Sequence, residues 1–111
     1  MAERQSTFLR LFGDTPILRV MDFFIVHEEF DYSMTDLAEL SGVGYSTLKL
    51  FWPNLEQSRL VMMTREVGKA KMYRLNLSNP AIQSFKDFYW ATTKLNTRQV
   101  LAKKSIQFVK S

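Results

Sequence analysis

The sequence predicts a mainly α-helical fold with one small β hairpin, and residues 33–76 supply the three observations behind this prediction. Two short segments with helical spacing of apolar residues meet at Gly42-Val43-Gly44, which is typical of a tight turn between helices. After Leu60 the spacing of apolar residues changes from helical to alternating, as in a strand. Two such strands flank Val67-Gly68, where the glycine favours a hairpin turn. Helix, turn, helix and hairpin in this order form a winged helix-turn-helix, a three-helix core plus a wing.

The first helix of this motif has signals at both of its ends. Ser33 or Thr35 can cap its start, because a hydroxyl oxygen accepts a hydrogen bond from a free backbone N–H. Gly42 can adopt the left-handed conformation that ends a helix, and Val43 can fill the corner behind the turn. The apolar residues at helical spacing are Leu37, Ala38 and Leu40.

The second helix is the one that enters the major groove of DNA in this motif. Its buried stripe is predicted from apolar residues at spacings i, i+4 and i+7, namely Leu48, Trp52 and Leu55. The start and the outward side of the helix present the candidate DNA-binding residues, which are Tyr45, Ser46, Thr47, Lys49 and Leu50. There a lysine can bind a phosphate or a guanine, and a leucine can contact a thymine methyl group. The alternative is an ordinary solvent-exposed helix face.

Two features of the second helix count against the DNA-binding interpretation. Lys49 is the only basic residue between positions 33 and 58, so most of the attraction to phosphate must come from elsewhere. Pro53 lies inside the helix, where it removes one backbone hydrogen bond and predicts a kink.

The predicted wing supplies the missing positive charge. Strand alternation directs Tyr73 and Leu75 towards the core. The basic residues expected to bind backbone phosphates or the minor groove are Arg65, Lys69 and Lys71. The alternative is that these charges keep an exposed two-stranded edge soluble.

Helices are also predicted on both sides of the motif. Residues 1–13 form an N-terminal extension, and residues 14–78 form the DNA-binding domain, whose first helix begins with Thr15 as its cap and Pro16 as its first residue. Asn79 and Pro80 repeat this signal at the start of a C-terminal helix, residues 79–95. The helix is too rich in aromatic residues for a lone peripheral element, so it either folds back over the domain or pairs with its copy in a homodimer. The candidate dimer residues are Phe8, Phe12, Ile82, Phe85, Phe88, Tyr89 and Trp90.

The remaining residues, 96–111, form a basic C-terminal tail with four basic and no acidic side chains. The charge of the whole chain, +4, is unevenly distributed. Residues 1–58 carry four basic and nine acidic side chains, and residues 59–111 carry eleven basic and two acidic ones. The positive second half favours a polyanionic partner such as DNA.

Three segments of the chain resemble the archaeal-type winged helix-turn-helix transcription regulator family. They are LFGDTP, MTDLAELSGVGYSTLKLFWPNLE and REVGKAKMYRLNLSNP, and the resemblance covers roughly residues 11–95. It implies a winged-helix fold, double-stranded DNA as the partner and a homodimer as the usual state.

Composition argues against several other classes of protein. The chain has no cysteine and one histidine, His27, so no metal site is predicted. No phosphate loop, cofactor motif or nucleophile–base pair is present, and an enzyme is not expected. No apolar run approaches the roughly 18–20 residues that span a bilayer, and MAERQST is not a signal peptide, so we expect a cytoplasmic protein without a membrane partner.

The sequence therefore predicts a sequence-specific DNA-binding transcription regulator that acts as a homodimer. The alternative is a winged-helix protein-interaction module within a larger complex, which the acidic first half and the apolar Leu50-Phe51 step favour. No set of residues identifies a small-molecule effector.

Overall fold

The computed structural model describes residues 5–95 in full and the helical backbone of residues 96–109. The elements follow one another in the order α1 (Thr7–Phe12), α2 (Pro16–Val26), β1 (Tyr32–Ser33), α3 (Met34–Ser41), α4 (Tyr45–Gln57), β2 (Val61–Val67), β3 (Ala70–Leu75) and α5 (Pro80–Val109). Helices α2, α3 and α4 form the three-helix core, and β2 and β3 form the wing. The predicted fold class, a mainly helical winged helix-turn-helix with additional helices at both ends, is confirmed.

The sheet has three antiparallel strands in the order β1-β3-β2. The short strand β1 pairs with the inner strand of the wing, with Tyr32 opposite Tyr73 and Ser33 opposite Met72. This pairing connects the residues before α3 to the wing. The wing therefore has a fixed base on the domain and is not an isolated hairpin.

One apolar core holds the helices and the sheet together. The predicted stripe of α4 is buried as expected, and Trp52 packs its ring edge-on against Tyr73 with 5.1 Å between centroids. Burying each large apolar side chain contributes about 1.5–3 kcal/mol of transfer free energy. The largest fully buried side chains in the part of the chain that the structure describes are Phe24, Ile25, Leu37, Leu48, Leu75, Ile82, Val20 and Thr92.

Leu40 does not join the core with its neighbours on α3. Leu37, Ala38 and Ser41 are buried, whereas Leu40 is exposed. At about 100° of helix rotation per residue, Leu40 lies roughly 100° away from the centre of this buried side.

The predicted helix starts are confirmed by their hydrogen bonds. Thr15 caps α2 by accepting from the Leu18 N–H, and Ser33 caps α3 by accepting from the Asp36 N–H. Asn79 caps α5, where its Oδ1 accepts from the Ala81 N–H at 2.8 Å. These bonds satisfy backbone donors that have no partner inside their helix.

The turn between α3 and α4 has the predicted geometry. Gly42 adopts a left-handed φ of +74°, and Val43 is buried in the corner. A Cβ atom on Gly42 would lie 3.3 Å from Nη1 of Arg19, which donates to the Gly42 carbonyl at 2.9 Å. Both the conformation and the close approach of Arg19 favour glycine here.

Helix α4 continues through Pro53 and ends beyond Gln57 in a left-handed residue. Arg59 has a φ of +59°, in a position where glycine is the usual residue. The Arg59 N–H donates to the Glu56 carbonyl and the Leu60 N–H to the Leu55 carbonyl, each at 3.0 Å. This is the hydrogen-bond pattern of a Schellman motif with a side chain where glycine would be unstrained.

Helix α5 is continuous from Pro80 to Val109, so the predicted division between residues 79–95 and 96–111 falls inside a helix. The side chains of residues 96–111 lie outside the described residues, as do residues 1–4 of the N-terminal extension. The prediction of a basic C-terminal segment therefore concerns side chains that the structure does not describe.

We expect the Arg59→Gly variant to be more stable than the parent chain by about 1 kcal/mol, because glycine adopts the left-handed conformation without the steric cost that a side chain has. The measurement is urea unfolding at fixed protein concentration. The control is Ser58→Gly, whose φ of −82° is ordinary, and which should lose stability. An Arg59→Gly variant no more stable than the parent would show that position 59 is not strained.

Candidate nucleic-acid interface

The start of α4 presents an exposed polar face. Because Leu48, Trp52 and Leu55 face the core, the opposite side of the helix must face solvent. Tyr45, Ser46, Lys49 and Leu50 are exposed, and Leu50 shows 81% of its surface to solvent. Thr47, also predicted to contact DNA, is half-buried.

The N-terminus of α4 has no side-chain cap. Its N-cap residue is Gly44, which makes no side-chain hydrogen bond, whereas side chains cap α1, α2, α3 and α5. The first N–H groups of a helix have no intrahelical partner and carry partial positive charge. An uncapped start leaves these donors available for phosphate oxygens or water.

Tyr45 and Lys49 are in contact one helical turn apart. The Lys49 ammonium lies 5.5 Å from the centroid of the Tyr45 ring, in a cation–π arrangement. Lys49 forms no ion pair with any carboxylate among the described residues. The contact therefore keeps an unneutralised cation near the start of α4.

A groove of about 330 Å³ joins the start of α4 to the wing. It brings together Tyr45 of α4 with Lys69 and Lys71 of the wing, three of the residues predicted to bind DNA. The residues that line it, none of them acidic, are Ser33, Met34, Thr35, Tyr45, Lys69, Ala70, Lys71 and Tyr73. At its base, burial and the nearby carboxylate of Glu56 raise the pKa of Tyr73, so its hydroxyl stays neutral at physiological pH.

The tip of the wing lies one residue later than predicted. Val67 pairs with Ala70, so the turn consists of Gly68 and Lys69, with a φ of +61° at Gly68. Glycine accommodates this left-handed conformation without strain. The shift places Lys69 within the turn itself, where its backbone is farthest from the core.

Arg65 does not lie with the other candidate residues. A bulge between Met63 and Arg65 shifts the register, so Arg65 pairs with Met72. Because paired residues point to the same side of a sheet, Arg65 faces away from Lys71 and Tyr73, its neighbours on β3. The side of the wing that carries Arg65 is thus opposite the groove.

The Arg65 guanidinium is bound to Asp31. Its Nε and Nη2 donate to the two carboxylate oxygens at 3.0 and 3.1 Å, and the hydroxyl of Thr64 donates to Oδ2. The guanidinium and, second, the hydroxyl lower the pKa of Asp31 to about 2. Neither Asp31 nor Thr64 is among the residues predicted from the sequence, because Asp31 lies 34 positions before its arginine partner and carries no local signal.

The candidate dimer residues differ in their exposure. Phe8, Ile82 and Tyr89 are buried within this chain, and Phe85 is half-buried. The Tyr89 hydroxyl donates to Asp22 of α2, and burial raises the pKa of Tyr89. The exposed members are Phe12, Phe88 and Trp90.

Phe12 and Phe88 form an exposed patch where α1 meets α5. The rings of Phe12 and Phe88 have centroids 5.4 Å apart, and both contact the buried ring of Phe8. Leu11 extends the apolar surface of α1. We call Leu11, Phe12 and Phe88 the aromatic patch. Trp90 follows Phe88 by two residues, about 200° of helix rotation, so it lies on another side of α5, where its ring contacts Tyr89.

Three acidic residues of the first half border a different groove. Asp14, Asp22 and Glu39 border a second groove, of about 510 Å³, between α1, α2 and the end of α3. His27 also borders it, stacks on Phe23 and places its Nδ1 2.9 Å from the Phe23 carbonyl oxygen. The described residues contain no group of three or more His, Cys, Asp or Glu side chains placed to hold a metal ion.

Solved structures of DNA-binding regulators share this fold. MepR, a transcription regulator of the Staphylococcus aureus multidrug efflux pump MepA, superposes with a TM-score of 0.61 at 14% identity, over 90% of this chain and 75% of MepR. Wild-type ZitR of Lactococcus lactis in complex with DNA superposes with a TM-score of 0.54 at 14% identity, over 78% of this chain and 60% of ZitR. Sso10a-2, a DNA-binding protein from Sulfolobus solfataricus, superposes with a TM-score of 0.51 at 13% identity, over 85% of this chain and 95% of Sso10a-2.

At such identities the likeness establishes the winged-helix fold alone. The similar structures are regulators and DNA-binding proteins from bacteria and from an archaeon, so they do not single out the archaeal-type family. No family profile and no curated protein matches the sequence. Within the part of the chain that the structure describes, no helix has the length and apolarity to cross a bilayer.

We expect the Asp31 carboxyl to titrate near pH 2 in the parent chain and closer to its ordinary value of 3.8 in the Arg65→Ala variant. Because the folded-state pKa is the lower one, the interaction stabilises the fold above pH 3.8 and its contribution is lost as the pH falls towards 2. The measurement is NMR titration of the side-chain carboxyl carbon. The same midpoint in both chains would exclude Arg65 as the cause of the shift.

Proposed function

We propose that this chain is a sequence-specific double-stranded DNA-binding transcription regulator that acts as a homodimer. The observation that carries the proposal is the groove between α4 and the wing, where Tyr45 meets Lys69 and Lys71 and none of the lining residues is acidic. Two lysines beside an uncapped helix start suit a phosphate backbone. The DNA complex of ZitR, which has the same fold, supports this choice of partner.

In this proposal α4 lies in the major groove of the duplex. Ser46, Lys49 and Leu50 share its exposed side and face the base edges, where lysine can bind guanine and leucine can contact a thymine methyl group. The uncapped N–H groups at the start of the helix bind phosphates and set its depth in the groove.

The wing adds affinity without reading bases. Lys69 at the tip and Lys71 beside it bind phosphates next to the major groove that α4 occupies. Arg65 has a different role, because its guanidinium is bound to Asp31 on the far side of the hairpin. We assign Arg65 to bracing the wing against the loop before β1.

The homodimer forms through the aromatic patch. Leu11, Phe12 and Phe88 are exposed apolar side chains, and the rings of Phe12 and Phe88 rest on the buried ring of Phe8. A second copy of the same patch would cover them, as in a two-fold symmetric interface. Trp90, exposed beside Tyr89 on another side of α5, is a second candidate contact. A dimer would also present two copies of α4 to a duplex, which doubles the sequence that is read.

The experiment that tests the proposal as a whole is the selection of bound duplexes from a random pool at two salt concentrations. We expect one enriched sequence at both, with weaker binding at the higher salt. Enrichment of no sequence would favour the protein-interaction module, to which the exposed Leu50 would then contribute an apolar contact.

We expect Lys49→Ala to weaken binding to the selected site by roughly 1–3 kcal/mol, the usual value of a good base contact, and to relax preference at one base position. Leu50→Ala should weaken binding only to a site that carries a thymine at the contacted position. The loss of affinity should vanish when uracil, which lacks the methyl group, replaces that thymine. Titrations against single-base variants of the site measure both effects. The control is Lys94→Ala, an exposed lysine on α5 outside the groove.

Neither change at positions 49 and 50 should lower the melting temperature, because both residues are exposed. Variants that bind every duplex as the parent does would show that α4 does not read DNA.

The Lys69→Ala, Lys71→Ala double variant should bind the selected site and random duplexes more weakly by a similar factor. Each lost phosphate contact should lower the dependence of log affinity on log salt by about 0.9. Titrations at several salt concentrations give this slope. Weakening confined to the selected site at an unchanged slope would mean that the wing reads bases.

Sedimentation equilibrium at micromolar concentration should give twice the chain mass. Phe88→Ala and Trp90→Ala should each raise the dissociation constant of the dimer by about tenfold or more, as truncation of a central aromatic contact does. Tyr45→Ala, an exposed aromatic outside the patch, is the control and should leave the dimer intact. A monomeric parent chain would contradict the proposed dimer.

A further inference from the structure

Two asparagine side chains meet at the junction of α4, the wing and α5. Asn76 follows β3 and Asn79 precedes α5; both amides donate to the Arg59 carbonyl after the end of α4, and that of Asn79 also donates to the Ser58 carbonyl. The Asn76 N–H also donates to the Leu60 carbonyl at 3.0 Å, which closes the base of the wing. We call the two side chains and the two carbonyls that they bind the asparagine clamp.

Asn79 joins the ends of two helices with one amide group. Its Nδ2 donates to the Ser58 carbonyl at 3.2 Å and to the Arg59 carbonyl at 2.9 Å. Its Oδ1 accepts from the Ala81 N–H at 2.8 Å and so caps α5. The group thereby satisfies orphan carbonyls at the end of α4 and an orphan donor at the start of α5.

Asn76 repeats this arrangement. Its Nδ2 donates to the Arg59 carbonyl at 2.9 Å, while its Oδ1 accepts from the N–H and the hydroxyl of Ser78. The carbonyl of the left-handed residue Arg59 thus receives two amide donors from the segment that leads into α5.

Capping alone does not require an asparagine at position 79. Aspartate and serine cap helices about as well, because only an acceptor oxygen is needed. Only an amide combines that acceptor with two N–H donors. An aspartate would instead direct a second oxygen at the Ser58 and Arg59 carbonyls. Helix capping therefore does not explain the two hydrogen bonds that the Asn79 Nδ2 donates to the backbone at the end of α4.

We propose that Asn79, assisted by Asn76, is the positioning residue that sets the direction of the DNA-reading helix α4 relative to α5, and thereby the half-site spacing that the dimer selects. The second part rests on the proposed function. It follows because α5 carries the proposed dimer residues Phe88 and Trp90, while α4 carries the proposed DNA-reading side chains.

The size of the effect can be judged from the length of α4. Its 14 residues from Tyr45 to the clamp at residue 58 span about 20 Å at 1.5 Å per residue. A 10° change at the clamp would move the start of α4 by about 3.5 Å, close to the 3.4 Å rise of one base pair. A small loss of order at the clamp would therefore blur the spacing of half-sites by a whole base pair.

The first experiment measures the position of α4 directly and needs no DNA. Because the chain has no cysteine, spin labels can be attached at Ser46→Cys near the start of α4, far from the clamp, and at Ala91→Cys on α5, both exposed positions. Labelled chain is mixed with excess unlabelled chain, so that distances within one chain dominate. Pulsed electron paramagnetic resonance then gives the distribution of the label-to-label distance.

We expect one narrow distance in the parent background and a distribution about twice as wide in Asn79→Asp, which keeps the cap and loses both donors. Asn79→Ser tests the same loss without added charge and replaces Asn79→Asp if that variant does not fold. The control is Arg59→Gly, which keeps both carbonyls and both amides and should remain narrow. Unchanged widths in Asn79→Asp and Asn79→Ser would overturn the positioning role.

The second experiment measures affinity for duplexes that carry two selected half-sites, with the spacer varied one base pair at a time. The parent chain should bind the duplex with one spacing about tenfold more tightly than duplexes one base pair longer or shorter. For Asn79→Asp this preference should fall below about threefold, while its affinity for a single half-site should equal that of the parent. An unchanged profile in a variant with a widened distance distribution would overturn the link to spacing. A parent chain with no spacing preference would contradict the proposed dimeric function, while the distance measurement would still decide the role of Asn79.

Discussion

The burial of Trp52 is the interaction on which the rest of this structure depends. Its ring lies between Phe24 of α2 and Tyr73 of β3, with centroid distances of 6.4 and 5.1 Å. Trp52 of α4 therefore contacts both α2 and β3, so that one side chain connects two helices of the core to the inner strand of the wing. Because Trp52 and the rest of its stripe face inward, the rotation of α4 about its own axis is fixed, and with it the set of side chains that face solvent.

The same packing separates the charges of the molecule. The groove between α4 and the wing contains two lysines and no acidic residue, whereas the groove along α1, α2 and α3 contains three carboxylates. A groove that binds a polyanion benefits from having no carboxylate in its lining, since a carboxylate there would repel phosphates.

The wing gains its rigidity from both ends of the hairpin. Strand β1 pairs with β3 along one edge, and Asp31 binds Arg65 from the loop before β1. At its base, the asparagine clamp ties the chain segments that enter and leave the hairpin to the end of α4. Lys69 and Lys71 are therefore carried by a hairpin held at three places, which lowers the entropy that ordering it on a ligand would cost.

The sequence by itself determined the elements of this fold, because their signals are local. Each of these signals acts within one or two helical turns. They are the side-chain caps at Thr15, Ser33 and Asn79, the glycine turn at Gly42 and the apolar stripe of α4. The exposure of Lys49 and Leu50 follows from the same periodicity. The candidate DNA-reading residues could accordingly be predicted without any tertiary information.

Only the tertiary structure decided which of the other candidates share a surface. Arg65 is turned away from Lys71 by a bulge and bound by Asp31, and neither follows from strand alternation, because a bulge inverts the facing of every residue after it. Phenylalanine is more often buried than tyrosine, yet Tyr89 is buried against α2 and Phe88 is exposed, since the docking of α1 and α2 selects which side of α5 is covered. The asparagine clamp joins positions about 20 apart through amide donors that fit only when α4 and α5 are already in place. Such long-range pairings leave no periodic trace in the chain, which is why local rules predict the elements and packing decides the site.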